Sequence, residues 1–285
     1  PPPWFIPTQA ELDKLEALLR PKFRIPLSEY KDVKWWFSAT AVAIDFLQKL
    51  TVRQRSQLRR IVIKETHKAV SAPQCHSRGL IPYCVDNPRL RIEVQIGLWT
   101  NIMPTGWSFI ELDFDDHLGG GECLEAFVLW VDEILLLSSH GMPQQALSIV
   151  LEMKAAKSMK MWRLIKRAAG LQEAMIECYR RHGRTEFPSR FEDTDPQYPY
   201  PCNLPVWFSE AIRDIVQGTS ILRLDGNAGE LWDTEELIKE GRDWSEAEWA
   251  LVWTMNVLGV QIWSREAWEQ YMLPRYRFDH SVPAG

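Results

Sequence analysis

The sequence predicts an α/β fold: recurring helix–strand units forming an open or leucine-rich-repeat-like curved sheet, with a helical, Trp-rich C-terminal part. Three observations point to it. A helix-period stretch followed by a short apolar strand occurs over 39–63, 122–152 and 207–225. Units of that kind lay strands side by side with helices packed outside. The first of these strands, Ile61-Val62-Ile63, is a run of β-branched residues. Finally, five of the fourteen tryptophans fall within 244–268, among segments with helix-start signals. The units are unevenly spaced, so they are not a counted repeat.

In chain order, Thr8 with Glu11 three residues on is a capping box opening a helix whose apolar stripe is Leu12, Leu15, Leu18 and Leu19, stopped by Pro21. A loop closing on Trp35-Trp36-Phe37 leads to a helix at 39–50, expected to bury Val42, Phe46, Leu47 and Leu50. Thr51 with Gln54 caps a short helix ahead of the strand Ile61-Val62-Ile63. Its run of β-branched residues predicts a strand covered on both faces. Residues 66–90, with three prolines and Gly79, predict a long loop holding at most a short helix.

Residues 107–115 alternate, with Ile110, Leu112 and Phe114 on one face and Phe109, Glu111, Asp113 and Asp115 on the other. Gly119-Gly120-Gly121 turns the chain into a helix at 122–139. A strand at 146–152 and a long helix at 155–182 follow; Arg180-Arg181-His182 and Gly183 end the helix with the charge and turn signals of a C-terminus. Five prolines in 184–205 mark a linker or arm. Beyond it lie a helix at 207–217, a strand at 219–225 and two helices opened by Asp233 with Glu236 and Ser245 with Glu248. The domain division is therefore 1–183, an α/β core with an N-terminal helix; 184–205, the Pro-rich segment; and 206–285, a unit continuing the core plus an acidic Trp-rich tail.

Hydrophobic residues at 46% and charged residues at 25% suffice for a proper core and exclude wholesale disorder. A net charge of −5 argues against a nucleic-acid partner. Five cysteines without a disulfide-scaffold spacing, and no long uninterrupted apolar run, place the expected location in the cytoplasm or nucleus rather than in or beyond a membrane. So many tryptophans, large and half polar, predict wide aromatic contact surfaces, internal or intermolecular.

Three groups of residues could carry chemistry. His67, Cys75, His76 and Cys84 offer imidazole and thiolate ligands for Zn²⁺. Cys75 and Cys84 are nine apart, however, not the two to four typical of zinc sites, and a packed loop with buried thiols and one hydrogen-bonded histidine accounts for the same residues. Glu111, Asp113, Asp115, Asp116 and His117 could converge on Mg²⁺ or Mn²⁺ for hydrolysis or group transfer, with the following glycines holding an anion. The plainer account is the wet face of an amphipathic strand. A basic patch comprises Arg53, Arg55, Arg59 and Arg60, with Lys64 and Lys68 near, and Lys160, Arg163 and Arg167 on the long helix; it could meet phosphates or an acidic protein, or lie solvated. The acidic segment Glu230 to Glu248 is an internal counterpart for either half. No Walker A, GxGxxG, GxSxG or HExxH motif occurs.

Phe37 to Ile44 before Phe46-Leu47, Gln57 to Val62, Cys75-His76, Gly79 to Pro82 with Cys84, Asn87-Pro88 and Leu90 to Glu93 carry a resemblance, continued by Ala211 to Val216, Gly218 to Ser220 and Gly229 to Asp233. On these residues the chain resembles a family of uncharacterised filamentous-fungal proteins whose members often carry an F-box-like segment upstream. The resemblance implies an adaptor-like architecture and no catalytic mechanism. A chain opening Pro1-Pro2-Pro3 without methionine suits a further module ahead of it. The function expected is a non-catalytic, intracellular protein-interaction module that needs no cofactor and takes another protein as partner. The alternative is a divalent-metal-dependent hydrolase or transferase using the acidic strand.

Overall fold

The structure, a computed structural model, describes residues 1–19, 36–103, 117–183, 204–264, 266–268 and 270–271. Its centre is a parallel sheet of β1 (Arg60–Glu65), β2 (Arg91–Gly97), β4 (Leu147–Glu152) and β5 (Leu222–Leu224), side by side in that order. A separate antiparallel pair joins β3 (His117–Gly119) to β6 (Gln261–Ser264). The helices are α1 (Gln9–Leu19), α2 (Ala39–Lys49), α3 (Val52–Gln57), α4 (Ile81–Asp86), α5 (Gly120–Ser139), α6 (Ser158–Arg181), α7 (Phe208–Gln217), α8 (Thr234–Gly241) and α9 (Glu246–Trp253). The α/β expectation is met, and β5, from beyond the Pro-rich segment, pairs with β4 in the same sheet. Among the described residues no helix is long and apolar enough to cross a membrane.

The strand order has a direct geometric consequence. Each crossover steps one strand onward in the same direction, and right-handed connections of that kind put every connecting helix on one face. Burial agrees. In register, Ile63, Val94, Ile149 and Leu222 form one buried row, flanked by Ile92 with Leu147 and by Ile96 with Leu151. The alternate residues Arg60, Val62, Lys64, Arg91, Glu93, Gln95, Ser148, Val150, Glu152 and Arg223 are all exposed or half-buried. The expectation that Ile61-Val62-Ile63 is covered on both faces is corrected: Val62 is 42% exposed. A β-branched run reports strand preference, not the number of covered faces.

The core is completed by α6, which buries Met161, Trp162, Ile165, Ala168 and Ala169, and by α5 through Leu124, Phe127, Val128, Val131 and Ile134; Leu135, expected on the same α5 stripe, is 41% exposed. In α2 the buried stripe is Thr40, Ala41, Ile44 and Leu47. Val42 and Phe46, expected inside, are 51% and 53% exposed. The helix is turned by its polar anchor. Glu65 at the end of β1 takes hydrogen bonds from the Ala39 and Thr40 N–H groups at 2.8 Å and from Thr40 Oγ1 at 2.7 Å, a carboxylate at a helix N-terminus. That contact holds the Thr40 side of α2 against the sheet. The expected long loop at 66–90 also contains more helix than foreseen, a 3-10 segment Pro73–Leu80 running into α4.

Among the described residues seven tryptophans are used internally. Trp99, Trp130, Trp162, Trp249, Trp253, Trp263 and Trp268 are buried. Trp99, Trp263 and Trp268 meet edge-on or tilted at centroid distances of 5.5 to 5.9 Å, joined by Tyr271, and the Lys157 ammonium sits 4.2 Å above the Trp263 ring.

The glycines before α5 act by size. A Cβ on Gly120 would stand 2.2 Å from the Val257 carbonyl oxygen, whereas on Gly121 its nearest neighbour would be the end of Leu258 at 3.1 Å. Gly120→Ala should therefore cost about 1–3 kcal/mol in urea unfolding, and Gly121→Ala should be close to neutral. Equal losses at the two positions would contradict the close approach of the 257–260 backbone.

Candidate functional site

The loop that follows β1 gathers residues with chemical potential, and the structure ties each to a structural task. His76 is buried, with Nδ1 2.6 Å from Ser38 Oγ and Nε2 2.8 Å from the Ser71 carbonyl. A carbonyl accepts only, so Nε2 carries the proton, and Nδ1 accepts from the Ser38 hydroxyl. Ser38 Oγ in turn accepts from Ala41 N at 2.9 Å as the N-cap of α2. This is a Ser–His pair in composition, but both groups are sealed from solvent and fully engaged. Burial pushes the His76 imidazole below its ordinary value.

The remaining members of the proposed zinc set do not join it. His67 lies beside Thr66, its Nδ1 2.8 Å from Oγ1, and stacks on Trp36 at 4.0 Å. Cys75 Sγ donates to Ala72 O, and Cys84 is buried in the core with its thiol pushed up to about 11 by burial. Among the described residues no group of three or more His, Cys, Asp or Glu is arranged to hold a metal ion. Glu111, Asp113, Asp115 and Asp116 lie outside the described residues. His117 pairs with Ser264 across β3 and β6. The anion cradle expected from the neighbouring glycines is not open: Gly120 N donates to Val260 O at 2.9 Å, and the 257–258 backbone and the Glu122 carboxylate crowd the turn.

Lys68 shows the same economy. Its Nζ donates to the carbonyls of Asn101, Ile102 and Met103 at 2.9, 3.2 and 2.7 Å, one acceptor for each ammonium proton, and burial lowers the amine to about 8. It closes the turn after β2 onto the segment after β1.

The basic patch divides in two. On α6, Lys160 Nζ donates to Gln261 O at 2.7 Å, and Lys166 Nζ clamps Ala228 O and Glu230 O at 2.9 Å. Arg163 and Arg167 line a cavity of about 330 Å³ with Trp232, Glu230, Asp233 and Glu236. The acidic segment is thus the internal counterpart of this half. Alongside, Glu173 holds Arg213 at 2.6 Å and the Trp232 indole at 2.9 Å. In the other half, Arg55 is structural, donating to Leu50 O at 2.8 Å and lying over Tyr83. Arg53, Arg59 and Arg60 are exposed.

The remaining surface of interest is the open face of the sheet. Glu93 sits at its middle, 3.4 Å from Arg60 and accepting from Gln95 Nε2 at 2.7 Å; the Gln95 bond, aided by Arg60 and Arg223, lowers its carboxyl. Strand β2, which supplies the centre of this face, was not anticipated. Its signal was legible, since Ile92, Val94 and Ile96 alternate with polar Arg91, Glu93 and Gln95.

No family model matches the chain, and no curated protein or solved structure matches it either.

The His76 environment makes stability depend on acid. Because its folded value lies below the ordinary 6.5, the unfolded chain binds the proton more readily. The group's contribution is full above that value and is lost as pH falls through the folded one. Urea midpoints should drop between pH 7 and about 5, and His76→Gln, less stable at neutral pH, should show a shallower slope across that window. In native protein at pH 8, a disulfide reagent should leave Cys84 and Cys123 unmodified until the chain unfolds, because both thiols are buried and raised.

Proposed function

We propose that the protein is a non-catalytic protein-interaction module whose recognition surface is the open face of the parallel sheet. The observation that carries this reading is the one-sidedness of the sheet. Strands in sequential order send their helices to one face, and among the described residues the other is left as a set of side-chain rows, Val62–Glu93–Ser148 and Lys64–Gln95–Val150–Arg223. Side chains on rigid adjacent strands hold their spacing without further ordering, so binding there loses little conformational entropy. The face mixes two valines with charged and amide groups, a composition suited to recognition more than to the core of an obligate interface. The residues that could have served as nucleophile and base in the first loop are buried and engaged, which supports a binding role over a catalytic one. As the ligand-binding half of an F-box-like adaptor, the chain would hold its partner on this surface.

Affinity capture from fungal extract with three baits tests the reading. The wild type and a control carrying Leu251→Glu with Met255→Glu, exposed on α9 and on the segment just after it, should recover the same proteins. Val62→Glu with Gln95→Glu should lose them while keeping the wild-type circular dichroism. Identical recovery by all three baits would sink the assignment of the surface.

A further inference from the structure

The open face is not uniform in charge. At the end where β1 and β2 begin, Arg59, Arg60, Arg89 and Arg91 are all exposed. Buried Asn87 brings them together. Its Nδ2 donates to Arg55 O and Leu58 O at 2.9 Å, and its Oδ1 accepts from Arg89 N at 3.2 Å. The Arg91 N–H then donates to Arg59 O at 2.9 Å as the two strands start.

In register, Arg60 lies directly beside Arg91 on adjacent strands. Like charges in such a position repel. Arg59 donates through Nη1 to the carbonyls of Ser56 and Leu58, and Arg91 through Nη1 to those of Pro88 and Leu90. Carbonyls take up the hydrogen bonds and leave the positive charge whole. Among the described residues none of Arg59, Arg89 and Arg91 has a carboxylate within ion-pair distance, and Arg60 has only Glu93 at 3.4 Å. Along the same face Lys64 and Arg223 add two more cations, against Glu93 and Glu152. A chain of net charge −5 thus carries exposed positive charge at the end of this sheet face where β1 and β2 begin.

Resting on the reading of that face as the recognition surface, we propose that it binds an acidic, extended peptide segment of a partner protein, anchored at Arg60 and Arg91, with Arg59 and Arg89 adding positive charge beside the strand starts. Guanidinium groups pair with carboxylates in planar, two-bond geometry, and an incoming carboxylate between Arg60 and Arg91 would relieve their repulsion. Arg60, Lys64 and Arg223 continue the positive charge across the strands. A nucleic acid is the less fitting polyanion, because Glu93 and Glu152 interrupt the surface and the whole molecule is acidic.

The test uses fluorescence anisotropy with the full chain. One probe is a labelled peptide of about twelve residues alternating glutamate with serine, enough to span the sheet at strand spacing; the others are the same peptide with lysine for glutamate and a single-stranded DNA oligonucleotide. The glutamate peptide should bind, the lysine peptide should not, and binding should weaken with added salt. Arg60→Glu with Arg91→Glu should weaken it by at least about tenfold, while Arg163→Glu with Arg167→Glu, on the distant helix, should leave it unchanged. No binding of the glutamate peptide, equal binding by the Arg60 and Arg91 variant, or tighter binding of the oligonucleotide would each overturn the proposal. If the peptide fails while Val62→Glu with Gln95→Glu still abolishes capture from extract, the acidic partner is wrong and the surface stands. If the peptide fails and Val62→Glu with Gln95→Glu captures the same proteins as the wild type, the surface itself falls.

Discussion

A single row of apolar side chains crossing four parallel strands, Ile63, Val94, Ile149 and Leu222, is the contact on which the rest of the structure depends. Burying each is worth roughly 1.5–3 kcal/mol, but its importance is directional. Strand side chains alternate, so placing these four on one side commits Val62, Glu93, Gln95, Val150 and Arg223 to the other. The one-sided wrapping of α2, α5, α6 and α7 and the open polar face are two consequences of the same register.

The residues that look most like chemistry are mostly the means of closing that architecture. A parallel sheet ends its strands in loops whose backbone groups must still find partners. Glu65 holds the start of α2, Asn87 ties the starts of β1 and β2, and Lys68 gathers three carbonyls after β2. Asn101 Oδ1 accepts from Gly97 N at 2.7 Å while its Nδ2 donates to His67 O at 2.9 Å. The Ser38–His76 pair belongs to this set. Each is a polar group inside a nearly dry space, where an unmatched donor or acceptor costs about 1–3 kcal/mol. That cost explains why such residues are specific without being reactive.

The tryptophans follow a similar logic. Aromatic abundance suggested contact surfaces, internal or intermolecular, and among the described residues seven indoles are used internally, where a large flat ring covers more apolar area than an aliphatic side chain. What is left for recognition is the part of the surface with few aromatics and segregated charge. The two basic regions differ in the same sense. On α6 the lysines are occupied by carbonyls of the 228–230 and 261 turns, and Arg163 and Arg167 face carboxylates across a cavity. The arginines at the start of β1 and β2 hold carbonyls and keep their charge.

Local pattern was enough for α5, β4, α6, α7 and the capping boxes at Thr51 and Ser245, since helix period, β-branched runs and cap chemistry act over a few residues. It also offered the acidic segment Glu230 to Glu248 as a counterpart for either half of the basic patch, and its first part lies against α6. The face buried by α2, the open side of β1 and the fate of Gly120 could not be read locally. Val42 and Phe46 form as good a stripe as Ile44 and Leu47, and contacts from distant elements, Glu65 and the Ser38–His76 bond, hold the side that is buried. Likewise Arg60 and Arg91 are thirty-one positions apart in the chain and become neighbours only because β1 and β2 pair in parallel at that register. The sequence by itself determined the α/β class and the identity of its charged and apolar residues. Tertiary structure decided which of them share a face, because strand order and register, not composition, bring distant side chains side by side.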